Sequence, residues 1–155
     1  MDTPKRIASF TVDHDLIDEG IYVSRIDGDI VTYDLRTRKP NMGDYMDNIT
    51  MHSVEHLFAT YIRSSTIGDR VIYFGPMGCQ TGFYLLVRDA EGGEVLSAVT
   101  DTLKKIISHT GEMFGNSRKE CGNYKNLSVE AARVECERYL KALSGRAQDF
   151  KYKEA

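Results

Sequence analysis

His52-Ser53-Val54-Glu55-His56 combines the residue types and spacing of a metal-assisted acid–base centre. On a helix, His52 and His56 stand one turn apart on one face, within reach of a single ion. Glu55 follows His52 by three positions on the same side, where a carboxylate can move protons beside a metal. The order H-x-x-E-H is the inverted form of the zinc-protease helix motif. Two imidazoles need a third ligand. Cys121, between Glu120 and Gly122, lies in a polar stretch rather than on an apolar face. Its thiolate would suit zinc, iron or cobalt, and a set of two histidines and one cysteine leaves a coordination position open for chemistry. Spacing alone leaves a ligand and a non-ligand role for Cys121 equally open.

A second thiol, Cys79, sits in Gly75-Pro76-Met77-Gly78-Cys79-Gln80-Thr81-Gly82. Glycines there let another group approach the backbone closely, and a neighbouring cation or dipole would make the thiol reactive. The competing reading is a small apolar residue in a tight turn, slightly favoured by spacing alone. Cys136 falls on the apolar stripe of a helix and reads as core. His109 lies beside the Ile106–Met113 face and reads as structural. His14, in Val12-Asp13-His14-Asp15, is too polar in setting for a core and is a candidate substrate or ligand contact.

The elements that must position these groups are readable. Ile7 to Val12 reads as a short strand. Ile21 to Ile26 and Ile30 to Arg36 read as strands joined by a hairpin at Asp27-Gly28. A helix capped by Asn48 or Thr50 carries the histidine motif to about Ser64. Val71 to Phe74 and Phe83 to Val87 read as strands flanking the Cys79 loop, followed by a turn at Glu91-Gly92-Gly93. Glu94 to Phe114 reads as a helix. A last helix, capped by Ser128, runs to about Leu143 and stops at Gly145, with a polar, frayed tail beyond it. The pattern lacks regular β-α alternation. It predicts an α+β fold, an antiparallel sheet packed against helices in a single domain over residues 1–155.

Bulk properties remove other classes. A formal charge of −3 and the absence of a Lys/Arg cluster argue against nucleic-acid binding. Phe83 to Val87 is the longest apolar run, too short to span a membrane. Met1 to Phe10 has no apolar signal core, which predicts a cytoplasmic protein. Three cysteines without C-x-x-C spacing do not make a disulfide framework.

Taken in order, these segments resemble the S-ribosylhomocysteine lyase (autoinducer-2 production, LuxS) family over nearly the whole chain. Ser9-Phe10-Thr11-Val12-Asp13-His14 is similar to its N-terminal signature. Tyr33-Asp34-Leu35-Arg36 with Lys39-Pro40-Asn41 resembles its arginine-bearing strand and loop. His52 to Leu57 resembles its metal helix, Pro76 to Tyr84 its catalytic-cysteine loop, and Cys121-Gly122 its downstream ligand motif. The resemblance implies one divalent metal per chain, natively Fe2+ with Zn2+ or Co2+ able to substitute, held by His52, His56 and Cys121. It implies Glu55 and Cys79 as the acid/base pair, and Ser9, His14 and Arg36 as substrate contacts or supports of the thiolate. It further implies a homodimer with active sites at the subunit interface, acting on S-ribosylhomocysteine in autoinducer-2 synthesis. The products would be homocysteine and 4,5-dihydroxy-2,3-pentanedione. One segment departs from the pattern: Tyr73-Phe74-Gly75 stands where many members have Asp-Ile-Ser, which alters the surroundings of Cys79. Two other classes remain open on the residues themselves. An inverted-motif metallopeptidase would take a downstream carboxylate as third ligand. A non-enzymatic structural metal site would close its fourth position with another Cys or His.

Overall fold

The computed structural model describes residues 3–154. Four strands form one antiparallel sheet: β1 (Gly20–Asp27), β2 (Ile30–Arg36), β3 (Val71–Pro76) and β4 (Gly82–Arg88), in spatial order β1-β2-β4-β3. Three helices, α1 (Asn48–Arg63), α2 (Gly92–Ile107) and α3 (Val129–Ser144), pack on one another and on the sheet. This is the α+β architecture expected from the sequence.

Strand periodicity explains the layering. On β2, Tyr33 and Leu35 are buried in the core, and their partners Leu85 and Phe83 on β4 face the same way. Asp34, Arg36 and Tyr84 occupy the alternate positions and face away from the helices. The β1–β2 hairpin turns at Gly28-Asp29, one residue later than the expected Asp27-Gly28, and Gly28 takes φ 62, a conformation that glycine adopts without a Cβ penalty.

α1 opens at Asp47, whose carboxylate accepts the Thr50 amide at 2.8 Å, so the cap lies one residue before the expected Asn48. Met51, Val54, Leu57, Phe58 and Ile62 form its buried stripe. Phe58 stacks on Phe74, which stacks on Phe83, tying the helix to β3 and β4. Each such fully buried side chain contributes about 1.5–3 kcal/mol through lost water contact. The stripe leaves His52, Glu55 and His56 half-buried on the neighbouring face.

Four expectations need correction. Ile7 to Val12 is not a strand. It forms a short 3-10 turn at Ala8–Phe10, with the Thr11 hydroxyl donating to the Ala8 carbonyl. The outer edge of β1, where such a strand could pair, is used instead by the C-terminal tail: the Val23 amide donates to the Phe150 carbonyl at 2.8 Å, and Tyr22 bridges Phe150 in parallel. The tail is therefore packed, not frayed. Ile21 also donates to Gln148 at 3.1 Å, and Tyr152 stacks on Tyr22. Gly92 and Gly93 belong to the first turn of α2 rather than to a preceding turn. A Cβ at Gly92 would come within 2.9 Å of the Phe150 ring, so glycine lets the tail's aromatic anchor lie against the helix start. Finally, α2 ends at Ile107, not Phe114. Beyond it the chain doubles back, with Gly111 at φ 99 and His109 bonding locally to the Glu112 carbonyl.

Cys136 is 1% exposed within the core, and burial pushes its thiol pKa upward, so it is inert. Cys136→Ala should lower unfolding free energy by about 1 kcal/mol, the scale of one methylene-sized loss, without changing metal content. Urea titration with metal analysis checks this; metal loss in the folded variant would contradict a purely packing role.

Candidate metal centre and thiol site

α1 presents His52 and His56 side by side, with ring centroids 4.6 Å apart and planes at 89°. The irregular segment between α2 and α3 supplies the rest. The His52 Nδ1 bonds the Asn126 carbonyl at 2.9 Å, and the His56 Nδ1 bonds the Phe114 carbonyl at 2.8 Å. A carbonyl only accepts, so each Nδ1 carries the proton and each Nε2 keeps a free lone pair. That tautomer is the one a metal ligand needs. Gly115, at φ 65, passes so close that a Cβ would lie 3.3 Å from the His56 Nδ1. Glycine is therefore favoured there by conformation and by space.

The Cys121 Sγ lies 3.4 Å from the His52 Nε2 and accepts the Asn123 amide at 3.4 Å. Tetrahedral zinc with ordinary Zn–S and Zn–N bonds would hold sulfur and nitrogen about 3.6 Å apart. The ligand atoms of His52, His56 and Cys121 all lie within 4.8 Å of one another. Donor set, tautomers and spacing thus fit a divalent ion. Glu55 is half-buried on the same helix, with no side-chain hydrogen bond or ion pair among the described residues.

His109 is structural, as expected, although it lies past the end of α2. Its Nε2 donates to the Glu112 carbonyl at 2.8 Å and its Nδ1 meets the Tyr61 hydroxyl at 2.7 Å. Its ring and that of Tyr61 both pack edge-on against Phe114, whose carbonyl orients His56.

Cys79 occupies a second place. Its loop closes β3 onto β4 through the Met77 amide and the Gly82 carbonyl at 2.9 Å. Gln80 takes φ 67, a left-handed conformation that costs a non-glycine residue about 1–2 kcal/mol. Two bonds to Met46 hold it there: the Met46 amide to the Gln80 carbonyl at 3.0 Å and the Gln80 Nε2 to the Met46 carbonyl at 2.7 Å. The exposed Cys79 thiol opens into a cavity of about 330 Å³ walled by Ser9, His14, Arg36, Met77 and Tyr84, among others. Ser9 and His14 reach it from the N-terminal turns, and the His14 Nδ1 is tied to the Val12 carbonyl at 2.9 Å.

Arg36 is 3% exposed. Its Nε and Nη2 clasp Asp34 at 3.1 and 2.6 Å, and its Nη1 donates to the Thr81 hydroxyl at 2.9 Å. The same Nη1 lies 4.0 Å from the Cys79 sulfur. Burial opposes the charge on Arg36, but the Asp34 carboxylate outweighs it and shifts the guanidinium upward from its ordinary range. Tyr152 of the tail donates to the same carboxylate at 2.7 Å. Burial, then the Asp34 charge, pushes its phenol pKa far up and keeps it protonated.

The structure gathers Ser9, His14, Arg36 and Cys79 at one cavity and His52, His56 and Cys121 at one cluster. No ligand of that cluster, nor Glu55, walls the cavity. Asp34, Thr81, Tyr84 and Tyr152 were not singled out from sequence. An acidic residue two positions before Arg36, on the same strand face, was the available signal for Asp34; Tyr152 lies 118 positions from Asp34 and gave none. In the departing triplet, the Tyr73 ring lies over Gly75, where a Cβ would collide with it. The Tyr73 ring uses the space that a side chain at Gly75 would take.

The S-ribosylhomocysteinase (LuxS) family model matches residues 7–149. A protein named S-ribosylhomocysteine lyase from Borreliella burgdorferi (strain ZS7) is 37% identical over 155 aligned residues, covering 96% of this chain and 99% of the relative. Proteins of the same name from Desulfotalea psychrophila and Clostridium beijerinckii are 40% and 39% identical over 142 residues, each covering 88% of this chain and 89% of the relative. A match of this extent, on a chain that brings two histidines and a cysteine to one point and sets a second thiol beside a buried arginine, shows that the protein belongs to the S-ribosylhomocysteinase (LuxS) family.

Proposed function

We propose that this chain cleaves S-ribosylhomocysteine to homocysteine and 4,5-dihydroxy-2,3-pentanedione, the autoinducer-2 precursor, with residues 1–155 acting as one catalytic unit. The observation that carries this reading is a thiol beside a buried guanidinium in an open cavity, separate from the thiol of the metal cluster. A metallopeptidase has no use for the former and takes a carboxylate as third ligand, where this cluster has Cys121.

The chemistry explains the residues. The substrate's thioether is on C5 of a ribose. Expelling it by β-elimination needs an acidic proton on C4, hence a carbonyl on C3. The opened sugar has its carbonyl on C1, so two isomerisations must carry it to C2 and then C3. Cys79 as thiolate takes the C2 proton and returns it to C1. Glu55 moves the C3 proton to C2 and then removes the C4 proton as the sulfur leaves and is protonated. Internal oxidation and reduction balance, so no redox partner is consumed. His52, His56 and Cys121 would hold one ion, Fe2+ in the cell, and when bound it supplies Lewis-acid stabilisation for negative charge on the sugar oxygens. Arg36 keeps positive charge near Cys79. Ser9 and His14 contact substrate from the cavity wall.

The unit is a homodimer with its active sites at the interface. The separation of Glu55 and the metal cluster from the Cys79 cavity supports this, because both must reach one substrate. The exposed apolar side chains Phe10, Met42, Tyr45 and Ile49 offer surface for a second copy. No described helix is long and apolar enough to cross a membrane, and the three free cysteines suit the reducing cytoplasm.

Metal-loaded protein given S-ribosylhomocysteine should release one thiol per turnover, read with a chromogenic disulfide; no release would sink the assignment. Cys121→Ala should lose metal and thiol release together, and full metal content in that variant would remove Cys121 from the ligand set. Cys79→Ala should keep its metal while turnover falls by about 10²–10⁴-fold, the usual contribution of a general base. Glu55→Gln also keeps its metal but cannot accept a proton. It should exchange the substrate C2 proton with deuterated water, seen by NMR, without releasing homocysteine; normal release would refute the role of Glu55. Protein loaded with Fe2+ should lose activity in air faster than protein loaded with Co2+, and equal lifetimes would count against iron.

A further inference from the structure

We propose that Thr81 is a positioning residue that holds Cys79 as its thiolate. The Arg36 guanidinium donates to the Thr81 hydroxyl, and that hydroxyl donates in turn to the Cys79 sulfur. The proposal rests on Cys79 being the first general base and names the group that maintains it in that state.

The direction of each bond follows from what the atoms can do. Arg36 has only donors, so its Nη1 must give a proton to the Thr81 Oγ1 at 2.9 Å. Thr81 is 1% exposed. Its hydroxyl keeps one proton to give, and among the described residues its remaining polar neighbour in reach is the Cys79 Sγ at 3.1 Å. Were Cys79 a thiol donating to Thr81, both lone pairs of the Thr81 oxygen would be filled. The Thr81 proton would then be buried with no acceptor, a costly arrangement. With Thr81 donating instead, every donor has an acceptor, the S–H of a thiol being free to face the open cavity, and the bond itself favours the thiolate as the better acceptor. Hydrogen bonds to a charged acceptor are also the stronger kind.

The surroundings hold this arrangement in place. Asp34 takes the other two nitrogens of Arg36 and fixes the direction of Nη1. Its own charge would oppose a thiolate, but both oxygens are occupied by Arg36, with the Tyr152 hydroxyl added to one. Tyr84 from β4 and His14 from the N-terminal turn are the other titratable groups on the cavity wall. The backbone carbonyl of Thr81 accepts the Thr37 and Arg38 amides, each at 3.0 Å, so the residue carrying the hydroxyl is itself fixed.

The test uses metal-loaded protein, in which Cys121 is ligated and Cys136 is buried, so that iodoacetamide reports Cys79; modification is followed by mass spectrometry of the Cys79 peptide. Thr81→Val keeps the shape and removes the hydroxyl. At pH 6 its Cys79 alkylation should slow by about three- to tenfold, because fewer thiolates are present although each is somewhat more nucleophilic. The whole alkylation-versus-pH curve should move to higher pH, and kcat should fall with KM little changed. Thr81→Ser should recover most of both losses. Thr81→Ala carries the same expectation as valine should the branched side chain disturb folding. Wild-type alkylation in the valine or alanine variant overturns the proposal, as does a serine variant as slow as valine, which would assign the effect to a disturbed loop rather than to the hydroxyl. Unimpaired turnover of Cys79→Ala would instead remove the general-base reading, while the alkylation series still decides the Thr81 hydrogen bond.

Discussion

The ion pair of Arg36 with Asp34 is the constraint on which most of this molecule turns. Both side chains lie within the sheet layer, 3% and 1% exposed, joined at 2.6 Å. A charge taken out of water must be paired and its remaining hydrogen-bonding capacity satisfied. Removing one partner of such a pair typically costs about 3–5 kcal/mol. Pairing alone does not fill a guanidinium. Its third nitrogen needs an acceptor, and the chain supplies Thr81 from the Cys79 loop. The carboxylate needs another donor, and the chain supplies Tyr152 from its tail. One buried charge therefore specifies where a strand, a loop and a terminus meet. The same requirement explains why a polar tail docks on the sheet at all, with Phe150 as its apolar anchor against Tyr33 and Gly92.

The metal cluster follows a different logic, in which backbone rather than side chains sets the chemistry. Carbonyls of Asn126 and Phe114 select the tautomers of His52 and His56. Those carbonyls belong to a segment with little regular structure, so something else must hold it. Near Phe114 the holding groups are His109 and Tyr61, which bond each other and both pack edge-on against the Phe114 ring. Near Asn126 the Ser53 hydroxyl accepts the Ser128 amide at 2.8 Å, tying the start of α3 to α1. Ligand orientation is thus built from the helix outward, with an aromatic cluster at one end and a helix cap at the other.

Periodicity made much of this legible in the sequence. The strands of the sheet, the histidine-bearing helix and the last helix all lie close to where the sequence pattern put them. The resemblance named His52, His56 and Cys121 as one set, and the fold brings them to one point. Two of the failures share a cause. The strand proposed at Ile7 to Val12 had suitable residues but no free edge, because Phe150 uses it. The helix proposed to reach Phe114 had a suitable stripe, but Gly111 and the bonds of His109 favoured reversal. The tail looked too polar to pack, since the acceptor for its tyrosine, Asp34, is a buried charge that polarity counts treat as surface. Local pattern carries no information about partners a hundred positions away, and such a partner decided the outcome for the N-terminal strand and the tail, whereas α2 was cut short by its own local reversal.

The sheet also explains why two thiols can serve two purposes in one chain. A thiolate is both a base and a strong ligand for the metals that His52 and His56 select. If Cys79 shared the cluster with Cys121, the ion would have four protein ligands, and the open position that chemistry needs would close. Arg36 and Tyr84 stand on the sheet face away from the helices, whereas His52, His56 and Cys121 belong to α1 and the segment beyond α2 on the helical side. The fold therefore sets the Cys79 sulfur beside a guanidinium and a hydroxyl and leaves only the Cys121 sulfur within reach of the two histidines. On the proposed dimer, that separation within each chain is what lets base and metal converge on a substrate without first capturing each other.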